Sequence, residues 1–275
     1  MCNFFSALIV DKNKKCLWDS CIDSHSELVD KFKIDDTTNN PKFVRVELTP
    51  PHYTVDAFKN PESWNFKTDQ DLLPDWYDAD LAKKTTVEAV KEFIKDHVFF
   101  DGIHEVKEER AIFLGSSKAT LLDNSKATLW GNSEATLLDN SKATLRGNSK
   151  ATLRGNSKAT LWGNSEATLW DNSKATLRGN SKATLWGNSE ATLLDNSEAT
   201  LLDNSEATLR GNSEAILWGN SKATLLDNSE AILWGNSEAT LWDNSKATLW
   251  DHSMSINHTK NEVCVPEIYK VVTHK

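Results

Sequence analysis

No apolar run in this sequence approaches the roughly 20 residues that a membrane span requires, so no spanning helix is expected. The start, MCNFFSALIV, has neither a basic segment nor a small-residue cleavage site, which argues against a secretory leader. Cysteine is scarce. Cys2, Cys16, Cys21 and Cys264 without a leader read as reduced thiols of a cytoplasmic protein. Between Gly115 and Trp250 there is no histidine, cysteine or tyrosine at all, which removes nearly every acid–base and nucleophilic candidate from half of the chain. A basic face is missing too, so nucleic acid is not an expected partner. Residues 1–105 carry 13 Lys/Arg against 20 Asp/Glu, and residues 115–250 carry 13 against 15. The second stretch is too near neutrality to mimic a polyanion.

What the second stretch does have is order. From Gly115 to Trp250 it reads as seventeen consecutive octads without insertion or deletion: [Gly/Asp]-[Asn/Ser]-Ser-[Lys/Glu]-Ala-[Thr/Ile]-Leu-[Leu/Trp/Arg]. The third, fifth and seventh positions are Ser, Ala and Leu in every copy, while the fourth is Lys nine times and Glu eight times. Invariant and variable positions alternate with period two, the period of a strand. A site that takes either Lys or Glu must face water. Ser, Ala and Leu are therefore expected inside, with Lys/Glu, Thr and Trp/Leu/Arg outside. The first two positions form the turn, because Gly, Asp and Asn tolerate positive φ. Stacked turns would align the Asn side chains into a ladder.

Six strand residues and a two-residue turn suit either an antiparallel meander or a parallel β-solenoid. Parity separates them. Across a two-residue hairpin the eighth position of one octad faces the third of the next, and opposite residues share a face. A meander would then mix Ser, Ala and Leu with Lys, Thr and Trp on one side. A solenoid keeps all three inside. Two octads per coil give a two-sided roll of 16 residues, and three give a triangular coil of 24. The small Ser and Ala favour the thin, two-sided form, with some eight coils at ~4.8 Å each, a rod on the order of 40 Å. The odd octads also carry an alternating charge series, Lys118, Glu134, Lys150, Glu166, Lys182, Glu198.

The expected fold is mainly β: a two-sided parallel solenoid of about 17 octads behind a small α+β domain. The reading assigns 1–105 to that domain, 106–258 to the solenoid with degenerate octads KEERAIFL and DHSMSINH at its ends, and 259–275 to a C-terminal cap. In the first region FFSALIV and KKCLW flank a hairpin turn, SELVDKF is a short helix capped by Ser26, and KFVRVEL is a strand. TVEAVKEFIKDHVFF (86–100) is an amphipathic helix with Val87, Val90, Ile94 and Val98 on one face and His97 as a core histidine.

Three constellations in this region suggest chemistry, and each has a plainer explanation. Cys2 would become an N-terminal nucleophile if Met1 were removed, giving an N-terminal-Cys hydrolase carrying a solenoid spacer. Yet the residues after it are NFFS rather than the Gly usual in such enzymes, and a partly buried strand cysteine is expected instead. Cys16, Cys21 and His25 have C-x₄-C-x₃-H spacing but no tight knuckle for zinc. Asp69, Asp71, Asp75, Asp78 and Asp80 lack the Gly and Glu of a calcium loop and read as a solvated acidic segment. No metal, cofactor or catalytic residue is expected.

The strongest signal is tryptophan. Eight of eleven occupy the eighth octad position. In a 16-residue coil, Trp170, Trp186, Trp218, Trp234 and Trp250 fall on the odd sheet. Trp130, Trp162 and Trp242 fall on the even sheet, interrupted by Arg146, Arg178 and Arg210. Exposed aromatic columns point to contact with a protein partner or a second solenoid. The alternative is that each ring folds over a corner and shields backbone.

The octads resemble those of the ice-nucleation family, whose 16-residue coils are paired octads with Thr-bearing strands. The GNS turns after a start of the form MCNFFSALIV…SHSELV…FVRVELTPP are similar to those of a loose group of bacterial and phage repeat proteins. The first likeness implies ice binding as an alternative function. Ice-binding faces carry Thr-x-Thr arrays, however, whereas Thr120, Thr128 and their equivalents stand singly and give way to Ile216 and Ile232. No function carries over from the second group.

Overall fold

The computed structural model describes residues 4–10, 15–36 and 41–258, and the strand Val263–Cys264. The chain divides into two compact units: Met1–Phe100 with Glu109–Leu114, and Asp101–Glu108 with Gly115–Lys275.

In the first unit β1 (Phe5–Val10), β2 (Lys15–Leu17), β3 (Phe43–Thr49) and β4 (Asn65–Thr68) form an antiparallel sheet in the order β2-β1-β3-β4. The apolar residues of β1 and β3 are almost wholly buried, Leu8, Val44, Val46 and Leu48 completely so. Helix α1 (His25–Phe32) sets Leu28 and Val29 against Leu8 and Phe43. Its N-cap is Ser24, not Ser26: the helix begins one residue before the expected cap, and Ser24 supplies the extended φ of −110° without a side-chain bond. The long helix (Ala79–His97), α2 here, starts seven residues before the expected 86. Asp78 explains the extension. Its carboxylate accepts from the Leu81 amide at 3.0 Å, so part of the acidic segment is a helix cap. The helix buries Val87, Val90 and Phe93, and stops where Val98–Phe99 turns to strand and pairs in parallel with Arg110–Phe113. His97 is partly buried, lies 5.2 Å from the Phe93 ring and has its Nδ1 3.6 Å from Glu109 Oε2. Phe4 packs edge-on against Phe58, Trp64 and Phe93, an arrangement aromatic quadrupoles favour.

The second unit is a parallel β-solenoid of about ten turns with 16 residues per turn. The 24-residue coil is therefore not formed. Odd strands make one parallel sheet, from Ile103–Lys107 through Lys118–Leu122 to Lys246–Leu249 and Val263–Cys264. Even strands make the other, from Lys126–Leu129 to Met254–Asn257. Registers are uniform: Ala sits on Ala and Leu on Leu in successive coils, as in Ala135↔Ala151 and Leu137↔Leu153.

The inward and outward assignment follows the parity argument. Third-position Ser and seventh-position Leu are buried to 0 % exposure, apart from Leu249 at 6 %, and Ala to 2–6 %, while every octad Lys and Glu is exposed. The buried serines are not a cost, because from Ser125 to Ser245 each hydroxyl finds a carbonyl. Ser165 Oγ donates to Trp162 O at 2.9 Å and Ser205 Oγ to Leu202 O at 2.6 Å. At the turns the first position has positive φ in both residue types, 70–78° for Gly and 55–64° for Asp. Gly211 shows why the choice is narrow: a Cβ there would lie 2.9 Å from Asp195 O of the coil beneath.

The expected Asn ladder is present, with Nδ2 to Oδ1 distances of 3.4 Å for Asn148 to Asn132 and for Asn164 to Asn148. A second turn device was not foreseen. At Asp171, Asp195, Asp203, Asp227 and Asp243 the Oδ2 accepts from the first-position amide one coil earlier, as from Gly155 to Asp171 and from Gly211 to Asp227. Among the described residues, no helix is long and apolar enough to cross a membrane.

Candidate functional site

The solenoid presents two unlike faces. On the odd face the fourth-position charges pair between neighbouring coils: Lys118 with Glu134 at 2.9 Å, Lys150 with Glu166 at 2.9 Å, Lys182 with Glu198 at 2.7 Å and Lys246 with Glu230 at 3.1 Å. Hydrogen bonds that Lys150 and Lys182 donate to the carboxylates of Glu166 and Glu198 raise the pKa of these two lysines. Between this column and the Thr/Ile column runs a shallow groove of about 1080 Å³, floored by Ala and lined by coils from Lys118 to Thr248.

At the edge of the same face the tryptophans stack. Trp170 and Trp186 lie 5.2 Å apart and 7° from parallel, and Trp234 and Trp250 lie 4.8 Å apart and 4° from parallel. Trp218 joins the second stack at 5.1 Å from Trp234. Leu202 separates the two stacks. The rings both cover a corner and meet solvent, for Trp170 and Trp218 are 37 % and 43 % exposed.

Two residues that sequence reasoning passed over complete this surface. In the sequence Ile216 and Ile232 are departures from a Thr array. They are register partners on the odd sheet, 39 % and 40 % exposed, two residues before Trp218 and Trp234. Both substitutions fall on odd octads next to Trp-bearing positions, and that coincidence was the available signal.

On the even face the arginines do not simply interrupt the aromatic column. The guanidinium of Arg146 is 5.0 Å from the Trp130 ring and 5.2 Å from Trp162, and Arg178 is 4.9 Å from Trp162. This is a cation–π stack, Trp130–Arg146–Trp162–Arg178, which explains why the position accepts Trp or Arg. Trp242 stands apart and stacks on His258 at 4.1 Å.

In the first unit Cys16, Cys21 and His25, whose spacing raises the question of zinc, do not form a ligand group among the described residues. Among the described residues the group that could hold a cation is His25, Glu47 and Asp69, whose ligand atoms lie within 4.8 Å of one another. His25 Nε2 is 3.1 Å from Val46 O, which favours the tautomer with its proton there and leaves Nδ1 facing Asp69 Oδ2 at 3.7 Å. Asp69 is already bonded by the Lys67 ammonium, which holds its carboxyl below the usual range. A lysine thus supplies the positive charge there. Burial pushes the Cys16 thiol up to about 12, so it is no nucleophile at neutral pH. Cys2 and the hydrolase reading that depends on it lie outside the described residues, as does the C-terminal cap beyond Cys264.

The chain finds no match among protein-family models, curated proteins or solved structures.

Proposed function

We propose that the chain is a non-enzymatic repeat protein: seventeen octads behind a small α+β domain, with the solenoid serving as a rigid interaction surface. The odd face carries the contact, through Trp170, Trp186, Trp218, Trp234 and Trp250, to a protein partner or a second solenoid. The even-face Trp130, Trp162 and Trp242 are part of the same aromatic set, but Trp130 and Trp162 stack with arginines and Trp242 with His258. The observation that carries the reading is the juxtaposition of exposed Ile216 and Ile232 with the Trp218–Trp234–Trp250 stack. Contiguous apolar surface of this kind on a register-locked sheet loses little side-chain entropy on contact.

Changing Trp186, Trp218 and Trp234 together to Arg tests it. The expected result is an unchanged circular-dichroism spectrum with loss of the odd-face contact, followed by cross-linking from a photoreactive group placed at position 232. Unfolding of the triple variant would make the rings structural shields and end the proposal. Ice binding makes a different forecast, a raised freezing temperature in a droplet assay. The Thr column that such a reading would use on the odd face breaks at Ile216 and Ile232.

A further inference from the structure

The even face stacks unpaired lysines on adjacent strands. Lys126, Lys142, Lys158 and Lys174 are register partners in four successive coils. Lys174 pairs with Glu190 at 2.6 Å. Among the described residues Lys126, Lys142 and Lys158 have no ion pair, and neither does Glu206 farther along the same column. Like charges on adjacent strands are unfavourable. A folded chain with three such lysines stacked gains from any occupant that sets carboxylates against them.

The same face carries those carboxylates at its other end. The first four even octads, ending at Arg178, hold six Lys/Arg and three Asp, and the last four, from Gly187 to Trp242, hold two Lys/Arg and four Asp/Glu. The face is thus positive over one half and negative over the other. The fourth-position column reads Lys126, Lys142, Lys158, Lys174, then Glu190, Glu206, Lys222, Glu238.

We infer that the even face is a homodimer interface, two copies stacked even sheet on even sheet with their solenoid axes antiparallel. The twofold axis lies in the interface along the strand direction. That operation sets each column against its own counterpart and reverses the coil order. Lys126 then faces Glu238 of the second copy, Lys158 faces Glu206 and Lys174 faces Glu190. Lys142 faces Lys222, the one like-charged rung. In the eighth-position column Trp130 meets Trp242 and Trp162 meets Arg210, while Arg146 and Arg178 meet Leu226 and Leu194. No like charges oppose there. Because the contact is isologous, each favourable rung occurs twice.

A second copy suits this face better than a polyanion. A polyanion would match the positive half and be repelled by the negative one, whereas a reversed copy matches both. The odd face stacks like charges only at Glu198, Glu214 and Glu230, of which Glu198 and Glu230 are paired with Lys182 and Lys246, and all four of its octad lysines are paired within the chain. Eight rungs at ~4.8 Å and a strand width of ~15 Å give roughly 600 Å² per copy, or about 1,200 Å² in all, the lower edge of specific interfaces. The dimer is therefore expected to be weak enough to dissociate on dilution and to depend on salt.

Sedimentation equilibrium of the full chain, with charge-swap variants, decides the matter. Wild type should show a reversible dimer whose dissociation constant rises as salt goes from about 0.1 M to about 1 M, where the Debye length falls from about 10 Å to about 3 Å. Lys158→Glu and Glu206→Lys should each weaken the dimer about tenfold or more, and the double variant should recover most of the loss. Lys142→Ala, which removes the like-charged rung, should tighten it. A chain monomeric at all concentrations overturns the inference, as does a dimer indifferent to Lys158→Glu or a double variant no better than the singles. Binding of single-stranded DNA by a monomer, abolished by Lys158→Glu, would also overturn it and give the patch to a polyanion. The Trp186/Trp218/Trp234→Arg variant lies on the other sheet and should leave the dimer intact. If it alone abolishes the dimer, association runs through the odd face, and this inference fails while the proposed function stands.

Discussion

Trp218 and Trp234 stack with ring centroids 5.1 Å apart and planes 7° from parallel, although sixteen residues separate them in the chain. One coil of the solenoid is all that lies between them, so each ring forms part of its neighbour's packing. The stack belongs to the fold and to the surface at once, and how much it stabilises the fold can be measured.

Trp234→Arg should cost less than about 1 kcal/mol in denaturant unfolding. The new guanidinium would lie between Trp218 and Trp250, as Arg146 lies between Trp130 and Trp162, and cation–π contacts are worth about as much as the ring stacking they replace. Trp234→Gly, which leaves both neighbours bare on one side, should cost clearly more. Equal losses for the two variants would show that stacking contributes nothing.

Gly211→Ala should destabilise by about 1–2 kcal/mol. The residue has φ +74°, and the added Cβ would meet a backbone carbonyl that cannot swing aside. Circular-dichroism melts of this variant and of Asp203→Gly form the comparison. The latter relaxes the backbone at an equivalent turn and loses the bond from the Gly187 amide to Asp203 Oδ2, two effects that offset, so its midpoint should scarcely move. A neutral Gly211→Ala would mean that the turn shifts more freely than its packing suggests.

Ser165→Ala should lower stability by about 1 kcal/mol, because a buried hydroxyl bond to Trp162 O is lost. Ser165→Val should do worse, by about 1–3 kcal/mol, since the thin interior has no room for extra methyls. If Val were better than Ala, the core would hold unused space and the case for a thin two-sided coil from residue size would lose its basis.

The Cys16 thiol, raised to about 12 by burial against an ordinary 9.0, sets a pH dependence. A raised folded-state pKa means that the native state holds the proton more tightly. Its stabilising effect is complete below pH 9.0 and declines as pH rises from there toward 12. Alkylation followed by mass spectrometry should therefore modify exposed Cys21 quickly at pH 8 and leave Cys16 slow until the chain unfolds. Cys16 is only partly covered, so rapid native-state labelling would show that its thiol is not held protonated.

The solenoid was legible in the sequence because one inward triplet, Ser-Ala-Leu, recurs with a spacing that admits a single parity. Parity did not choose between 16 and 24 residues per coil, for both keep that triplet inside; the volume of Ser and Ala did. What stayed hidden depended on neighbours sixteen residues away. Asp171 looked like a φ-tolerant turn residue, but its carboxylate also satisfies the Gly155 amide. Arg146 looked like a gap in an aromatic column and is sandwiched within it. Ile216 and Ile232 gained meaning beside Trp218 and Trp234. In the first unit the long helix was readable from its apolar face, but its start was set by Asp78, and His25 meets Glu47 and Asp69 through packing of a helix end on the sheet that local pattern does not encode.

The 16-residue coil also governs how a gene for such a chain can change length. Losing or gaining two octads removes or adds one whole coil and leaves every downstream side chain on its own sheet. A single-octad deletion between Trp186 and Trp218 keeps Ser, Ala and Leu inside, so the chain should still fold. Yet it would carry Trp218, Trp234 and Trp250, with Ile216 and Ile232, from the odd sheet to the even one. Eight residues is thus the unit of folding and sixteen the unit of inheritance for anything the faces do. Slippage during replication in steps of 24 bases exchanges the two faces, and in steps of 48 bases preserves them.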